Sequence, residues 1–542
     1  MHALNAKRRL PPMATKLFAG IAICLALSAT AFAVGDGKSR QRATEALKNG
    51  DYEAAEKQFR ELLGKDAHDK EARLGLSFAL LKQRFLQDAY DHAARVVLSD
   101  PLSARAHALL GSVILASGDF QNSVEEFRTA LSLKEDEALA IAGLAMVDFY
   151  ENRLDASIKG LRRAVSIDSS EPDYLFNLGQ ATARNEKYRE AADAYEKFLI
   201  IAPKTDADRR ARIHGLIDFL RYLGKQNSLY VLAGDNKTVM PFESLDGRPI
   251  LKVRINNKRD TLRFVLDTGS GMSVISEETA KRLGISPVAR GGQARAVGGG
   301  GKFDIVYGFL NSLSVGDVTV ENVPVYIRHF FDEKTPVDGY LGLSVIAKFI
   351  ASVDYGENVF TLRRPSEPNV KDLWGITISR NAVMPLPPGV LEIPLRTTSS
   401  GFLSGEVHLE GVDRPLNFIV DTGASVSVVS ERLTKEEDLD SYLEPTRMKI
   451  YGAAGIAEDV KSLLLPKVML GTLTRERINA AVLDLEPVNE TAGFTQMGIL
   501  GGNYLRHFRV SFDFQRALIR LEPLGKNAKG TDAGRPEEHL DK

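Results

Sequence analysis

Cysteine is nearly absent from this sequence: one residue, Cys24, occurs among 542. It lies in an N-terminal apolar run, so the rest of the chain has no thiol for a disulfide, for nucleophilic catalysis or for a cysteine metal site. The nine histidines show no paired ligand spacing such as H-E-x-x-H. The 70 basic and 71 acidic residues give a net charge of −1, which provides no reason to expect nucleic acid as a partner. No metal site and no cofactor are predicted.

The first 33 residues have the pattern of a secretory signal peptide (1–33). Basic residues precede an apolar run that ends on Ala31-Phe32-Ala33, an A-x-A cleavage site. Cleavage there predicts an exported protein, and the lack of disulfides in a chain of this size suggests a bacterial periplasm. The alternative is an uncleaved membrane anchor at residues 17–34, whose 18 mostly apolar positions are just long enough to span a bilayer.

A repeated pattern with a period close to 34 residues fills positions 39–205. Five large apolar residues each begin a helical phrase, at successive spacings of 33, 35, 34 and 34. These residues are Tyr52, Phe85, Phe120, Leu154 and Tyr188. Small and apolar residues follow each at helical spacing, and another apolar helix precedes each. A final amphipathic helix, 207–224, would cover the apolar face of the last unit.

This pattern resembles the tetratricopeptide repeat, which has a period of 34 residues. The resemblance implies an all-α solenoid over residues 39–225, with a concave face suited to a peptide or protein partner. A generic helical bundle is the alternative, but five regularly spaced copies favour the solenoid.

Helical periodicity ends near residue 228, where short alternating runs of β-branched residues separated by glycine-rich turns begin. A proline-bearing linker, 366–390, divides this β region into halves at 228–365 and 391–524. Residues 525–542 lack apolar periodicity and are predicted to form a disordered tail.

The two β halves contain nearly the same thirteen residues. FVLDTGSGMSVIS occupies 264–276 and FIVDTGASVSVVS occupies 418–430. In each half a glycine-rich segment follows, and then an apolar-apolar-Gly sequence that leads into a strand. A single Asp-Thr-Gly is a weak signal, since chance gives it in about one chain of this length in ten. Two copies with matching flanks and landmarks indicate a duplicated unit.

The duplicated motif resembles that of the aspartic peptidases, specifically the retropepsin-like domains. The resemblance implies a fold in which an all-α solenoid precedes an all-β peptidase region made of two retropepsin-like halves. It also implies that Asp267 and Asp421 face each other as the catalytic residues. Like charges so close cannot both ionise, so the pair would share one proton. The ionised carboxylate would activate a water, and the protonated one would donate to the scissile carbonyl oxygen.

Neighbouring residues of the motif are predicted to support this pair. Gly269 and Gly423 allow backbone to approach a carboxylate closely, where a Cβ would obstruct it. The resemblance further implies that Thr268 and Thr422 brace the two turns against each other.

The motifs differ at their next position, which is Ser270 in the first and Ala424 in the second. A hydroxyl can hydrogen-bond a carboxylate and favour its charged form, whereas alanine cannot. We therefore expect Asp267 to be the more readily ionised partner, and hence the base. On this hypothesis Ser270→Ala raises the lower apparent pKa of the pH–rate profile.

Two glycine-rich segments, 297–301 and 451–455, are candidate flaps that close over a substrate. Their small residues are Gly298, Gly299, Gly300 and Gly301 in the first half, and Gly452, Ala453, Ala454 and Gly455 in the second. Neither Tyr307 nor Tyr451 occupies the place of the flap tyrosine of pepsin-type enzymes, so the flaps resemble the retroviral type.

The predicted function is that of an aspartic endopeptidase that hydrolyses a protein or peptide substrate, with a repeat domain that docks the substrate or a partner protein. Two alternatives stay open. Each β half could pair with its twin in another chain, which would make the peptidase active only as an intermolecular dimer. The β region could instead be a catalytically silent binding or scaffold protein, although Asp-Thr-Gly is intact in both halves.

Overall fold

The computed structural model describes residues 37–332, 336–365 and 389–524. The predicted signal segment and tail, and most of the predicted linker, lie outside these ranges. Helices come first along the chain and strands follow, which confirms the predicted fold class. Within the described ranges, no helix is both long enough and apolar enough to cross a bilayer.

The N-terminal region consists of consecutive helix pairs. Its helices are α1 (37–48), α2 (Tyr52–Lys65), α3 (Lys70–Lys82), α4 (Leu86–Ser99), α5 (Ala104–Ser117), α6 (Phe120–Leu133), α7 (Ala138–Tyr150), α8 (Leu154–Ile167), α9 (Pro172–Arg184), α10 (Tyr188–Ile201) and α11 (Ala207–Leu223). Aspartates such as Asp51, Asp69 and Asp119 accept a hydrogen bond from a first-turn N–H and fix where the helices begin.

The helix pairs pack by placing a large aromatic ring over glycine. Phe127 of α6 is fully buried. A Cβ added at Gly111 of α5 would lie 2.9 Å from its ring, and one at Gly143 of α7 only 2.2 Å. Phe59 and Gly75 repeat this arrangement. The small residues of the repeat therefore have a packing role, since they let neighbouring helices approach closely.

The turns within the helix pairs share one unusual backbone conformation. The residues at this corner have φ between 58° and 96°, the left-handed region. They are Gly50, Arg84, Gly118, Asn152 and Glu186, each 34 positions after the last. The corner geometry, and not the corner side chain, is thus what repeats along the solenoid.

The last four of these corners contact the β region, which lies along one edge of the solenoid. Arg84 is 3.8 Å from Glu486, and the Gly118 carbonyl accepts a hydrogen bond from Asn417. Asn152 donates to the Phe514 carbonyl, and Glu186 pairs with Lys348. Successive repeats therefore use equivalent positions to hold the β region.

The first β half contains β1 (Val231–Gly234), β2 (Lys237–Pro241), β3 (Glu243–Leu245), β4 (Arg248–Ile255), β5 (Leu262–Leu266), β6 (Val274–Ser276), α12 (Glu277–Leu283), β7 (Ala289–Arg295), β8 (Lys302–Val315), β9 (Val318–Arg328), β10 (Gly339–Leu341), α13 (Leu343–Ile346), β11 (Ile350–Asp354) and β12 (Val359–Arg363). The second contains β13 (Leu391–Pro394), β14 (Arg396–Thr397), β15 (Leu403–Leu409), β16 (Leu416–Val420), β17 (Ser427–Ser430), α14 (Glu431–Glu436), β18 (Leu443–Gly452), β19 (Gly455–Leu470), β20 (Leu473–Leu483), α15 (Glu486–Ala492), β21 (Gly498–Leu500), α16 (Gly502–Leu505), β22 (Phe508–Asp513) and β23 (Leu518–Pro523).

Equivalent strands of the two halves form equivalent sheets. In the first half the strand order is β1-β9-β6-β10-β5-β4-β8-β7, with β3 on β4; in the second it is β14-β15-β16-β21-β17-β20-β19-β18. Each half has two short parallel pairings: β5 with β10 and β6 with β9 in the first half, and β16 with β21 and β17 with β20 in the second. Strands β5 and β16 lead directly into the Asp-Thr-Gly turns.

A third sheet joins the halves. Its order is β13-β23-β22-β11-β12-β2, so three strands of the second half lie beside three strands of the first in one hydrogen-bonded layer. The join is the antiparallel pairing of β11 with β22, where Ser352 is opposite Ser511. One continuous hydrophobic core, which includes Phe264, Phe418 and Phe512, lies beneath the sheets. The two halves therefore form one folded body in a single chain.

Candidate active site

The two Asp-Thr-Gly turns meet at the centre of the β region. The buried strands β5 and β16 end at Asp267 and Asp421. The Asp267 N–H donates to the Leu341 carbonyl of β10, and the Asp421 N–H donates to the Leu500 carbonyl of β21, each at 3.0 Å. The parallel pairings therefore hold both aspartates in equivalent positions, with their side chains only partly buried.

The threonines cross-brace the turns. The Thr268 hydroxyl donates to the Val420 carbonyl at 2.7 Å, and the Thr422 hydroxyl donates to the Leu266 carbonyl at 2.6 Å. Each hydroxyl also accepts the backbone N–H of the other threonine, at 3.0 and 3.2 Å. Both side chains are fully buried. This is the bracing that the family resemblance implies.

The glycines of the motif make room for the opposite carboxylate. A Cβ on Gly269 would lie 2.4 Å from the carboxylate carbon of Asp421, and a Cβ on Gly423 would lie 2.7 Å from an oxygen of Asp267. Each glycine N–H also donates to the aspartate of its own turn, at 2.9 and 2.7 Å. Alanine at either position would therefore separate the pair.

The two carboxyl groups lie close to each other, and two carboxyls so placed are expected to share one proton. Burial raises the pKa of both carboxyls, and the nearby Asp421 charge raises the pKa of Asp267 further, well above its ordinary value. Backbone N–H groups of Gly423, Ala424 and Gly269 act against this rise at Asp421, because they stabilise its charge. These directions lead us to expect that Asp267 holds the proton and that Asp421 carries the charge.

The reason given for Asp267 as the base does not hold in the structure. The Ser270 hydroxyl does not donate a hydrogen bond to the carboxylate. It donates to the Met272 carbonyl two residues later, at 2.8 Å. A serine in a turn often satisfies a nearby backbone carbonyl in this way. Ala424 contributes through its backbone N–H, so the absence of a hydroxyl there does not disfavour the charge on Asp421.

The hydrogen bond of Ser270 to Met272 changes the result expected for Ser270→Ala. Both apparent pKa values of the kcat/KM pH profile should stay in place, because the lost hydrogen bond stabilises the turn and not the carboxylate. Losing it should cost about 1 kcal/mol in the free energy of unfolding. Peptide hydrolysis measured across the pH range tests this; a rise in the lower apparent pKa would restore Asp267 as the base.

The shared proton also predicts how stability depends on pH. A carboxyl whose pKa is raised by folding stabilises the folded state below its unfolded pKa, and this stability is lost as pH rises through the folded pKa. Asparagine imitates the protonated form. Asp267→Asn should therefore match the wild-type Tm near about pH 4 and exceed it near about pH 7.

Thermal unfolding of the two proteins at both pH values measures this difference. Asp413→Asn, which changes an exposed carboxylate of the second half, should leave the Tm difference unchanged. A lower Tm for Asp267→Asn at neutral pH would contradict the shared-proton description.

The predicted flaps are two hairpins whose tips touch. The first is formed by β7 and β8, the second by β18 and β19. A Cβ on Gly298 would lie 2.7 Å from the Gly452 Cα, and one on Gly299 would lie 2.5 Å from the Gly455 carbonyl carbon. Gly298, Gly299 and Gly300 also have φ between 61° and 83°, which favours glycine. The tips thus meet through backbone, at a contact that a side chain would block.

The first flap is anchored on the last helix of the solenoid. A Cβ on Gly215 of α11 would lie 2.1 Å from the Arg290 carbonyl oxygen of β7. Tyr307 of β8 is buried and stacks on Phe219 of α11, with ring centroids 4.1 Å apart. Lys302 forms an ion pair with Asp208 at 2.7 Å. The predicted cap helix therefore also fixes the base of a flap, and Tyr307 belongs to this contact.

One residue near the pair was missed by the sequence analysis. Arg328 ends β9, and its positive charge lowers the pKa of Asp267 against the larger effect of burial. No local pattern marks it, because an arginine at a strand end is ordinary in sequence. Among the described residues, no group of three or more histidines, cysteines, aspartates and glutamates could hold a metal ion.

Comparisons with protein families match both regions of the chain. Residues 251–345 and 405–504 match the family described as Aspartyl protease. Residues 46–113, 104–137 and 143–205 match three families described as Tetratricopeptide repeat. The duplicated retropepsin-like region and the N-terminal repeats predicted from the sequence are thereby confirmed.

Similar individual proteins match the repeat region. The formate-dependent nitrite reductase complex subunit NrfG of Escherichia coli O157:H7 is 27% identical over 106 residues. That match covers 19% of this chain and 54% of NrfG, so the chain spans about half the length of this curated relative. Among solved structures, the tetratricopeptide repeat protein TTC0263 of Thermus thermophilus is 20% identical, with a TM-score of 0.30, over 34% of this chain and 98% of that one. MamA of Desulfovibrio magneticus RS-1 is 20% identical, with a TM-score of 0.23, over 31% of this chain and 94% of its own.

Proposed function

We propose that this chain, whose two β halves both match the aspartyl protease family, is an aspartic endopeptidase. One observation carries the proposal: Asp267 and Asp421, from two copies of one motif, lie against each other in cross-braced turns. The pair forms within a single chain. This supports the intramolecular enzyme over the alternative in which each half pairs with its twin.

The geometry suits hydrolysis of an amide by a water molecule. Asp421, held ionised by backbone N–H groups, takes a proton from the water as its oxygen bonds to the scissile carbonyl carbon. Asp267 donates its proton to the carbonyl oxygen, which gives a neutral tetrahedral intermediate. Proton transfer from Asp421 to the amine nitrogen then lets the C–N bond break, and the re-formed carbonyl returns its proton to Asp267. No covalent adduct with the enzyme forms.

The touching flaps restrict how a substrate enters. Their tips cover the cleft, so they must separate before a peptide can reach the carboxylates. Once the flaps close over the bound peptide, they can exclude water. Because α11 holds the base of the first flap, movement of the solenoid end would be transmitted to that flap.

The repeat region is proposed to bind a protein partner as well as its own β region. The corners between paired helices already contact the β region along one edge. A partner or a substrate would therefore use the remaining solenoid surfaces. The secretory pattern in residues 1–33 supports the proposal that this takes place outside the cytoplasm, in a periplasm, with a membrane attachment only where that segment is retained.

A peptide-library cleavage assay tests the proposed activity. The purified chain is incubated with a mixed library from about pH 3 to about pH 8, with and without a pepstatin-type inhibitor. We expect internal bonds to be cleaved, and the inhibitor to suppress cleavage. If no condition gives inhibitor-sensitive cleavage, the β region is instead a binding or scaffold module.

A further inference from the structure

Arg328 is a cationic side chain placed between the floor and the roof of the cleft. The floor is Asp267, whose pKa responds to the Arg328 charge. The roof is formed by the flaps: the guanidinium stacks on the ring of Phe303, 3.7 Å from its centroid, and donates to the Ala453 carbonyl at the tip of the second flap. A peptide held over the carboxylates would pass beside this group.

Within the described ranges, no carboxylate lies within ion-pair distance of the Arg328 guanidinium. Burial lowers the pKa of its guanidinium, so this position disfavours the charge. A guanidinium has five N–H donors, and among the described residues one acceptor, the Ala453 carbonyl, is hydrogen-bonded to it. No carboxylate of the described residues forms an ion pair with it, whereas nearby Arg248 has Asp332 at 3.9 Å. Partly buried arginines normally pair with an anion in a forked geometry.

The hydrogen bond to Ala453 is one that substrate entry would disrupt. Ala453 lies at a flap tip, and the tips must separate before a peptide can enter. Separation frees the guanidinium donors on the cleft side while Arg328 remains on its strand. An incoming carboxylate would then replace the neutral Ala453 carbonyl as the acceptor. A hydrogen bond from the guanidinium to a carboxylate is stronger than one to a neutral carbonyl.

We propose that Arg328 is a specificity-determining residue that binds an acidic side chain of the substrate, so that peptides with glutamate or aspartate near the scissile bond are preferred. This inference rests on the proposed peptidase function and names the substrate class of the same cleft. Tyr326 and Tyr340 lie near enough to Arg328 for its charge to lower their pKa values against the larger effect of burial.

Matched peptides test the inference. Bonds cleaved in a library containing acidic and neutral residues are identified by mass spectrometry, and glutamate and glutamine versions of a cleaved peptide are then compared. In the wild type, kcat/KM should favour glutamate by about tenfold or more. Arg328→Gln should bring the ratio close to one, and Arg328→Lys should retain part of it. Arg254→Gln, which alters an exposed arginine of the same half, should keep the wild-type ratio.

The pH dependence of that ratio separates substrate binding from a structural role. The preference should fade as pH falls towards the ordinary pKa of glutamate, about 4.3, because the protonated side chain resembles glutamine. If Arg328→Gln lowers kcat/KM for both peptides equally, Arg328 only holds the second flap in place, and the inference is overturned. A wild type that cleaves peptides without acidic preference also overturns it and leaves the proposed function intact.

If the wild type cleaves no peptide, peptide binding tests the inference instead. Calorimetry of the uncleaved glutamate and glutamine peptides with the wild type and with Arg328→Gln then replaces kinetics. Tighter binding of the glutamate peptide that is lost in Arg328→Gln supports the acidic subsite even as the proposed catalysis fails. Equal binding, or none, overturns the inference.

Discussion

Asparagine at either Asp267 or Asp421 should lower kcat/KM for peptide hydrolysis by about a thousandfold or more. Asp421→Asn removes the base that takes the proton from water. Asp267→Asn removes the acid that donates to the carbonyl oxygen, and leaves the remaining carboxylate without a proton to share. Initial rates on one cleaved peptide, with each variant checked by circular dichroism, measure the effect.

The same variants distinguish the one-chain site from the twin-paired alternative. If each half paired with its twin in another chain, Asp267→Asn would destroy one kind of site and spare the other. Such a variant would keep a substantial fraction of the wild-type rate. Asp413→Asn, at an exposed position, should keep nearly full activity. Retention of peptide hydrolysis by either single active-site variant would contradict the site described above.

The pairing of the aspartates could be predicted because the motif is repeated. Asp267 and Asp421 occupy the same place in two matching segments 154 positions apart, and a duplicated unit tends to place equivalent turns around a shared axis. The role of Ser270 could not be predicted in the same way. Its hydroxyl had two possible acceptors, a carboxylate and the Met272 carbonyl, and the local one is satisfied in the structure.

The arrangement of the chain was only partly accessible from sequence. The period of the helical repeat predicts helix pairs, because each unit must bury the same small and large residues. It does not predict which edge holds the β region, since the contact of Arg84 with Glu486 joins ordinary surface residues far apart in the chain. The sheet shared by the two halves was also only partly predictable. The alternation of apolar and polar residues predicts strands β11 and β22, but it does not predict that they pair with each other.

Truncating Phe494 should produce the largest loss of stability at the contact between the solenoid and the β region. This residue lies in the loop between α15 and β21 and is fully buried among helices, with its ring edge-on to Phe120 at 5.0 Å and to Tyr150 at 5.1 Å. Its neighbour Thr495 donates a backbone hydrogen bond to the Ala116 carbonyl of α5. Phe494→Ala should reduce the free energy of unfolding by about 3–5 kcal/mol, whereas Phe85→Ala, at a ring that is 55% exposed, should cost far less.

The Phe494 loop also leads into the candidate active site. Strand β21 begins at Gly498 and ends at Leu500, whose carbonyl accepts the Asp421 N–H. Withdrawal of the loop from the solenoid should therefore lower kcat as well as stability, and hydrogen exchange should quicken in α5, α7 and β21 together. Urea unfolding followed by circular dichroism gives the free energy. A loss no greater than that of Phe85→Ala, with unchanged exchange in β21, would mean that the solenoid and the catalytic turn are not coupled through this loop.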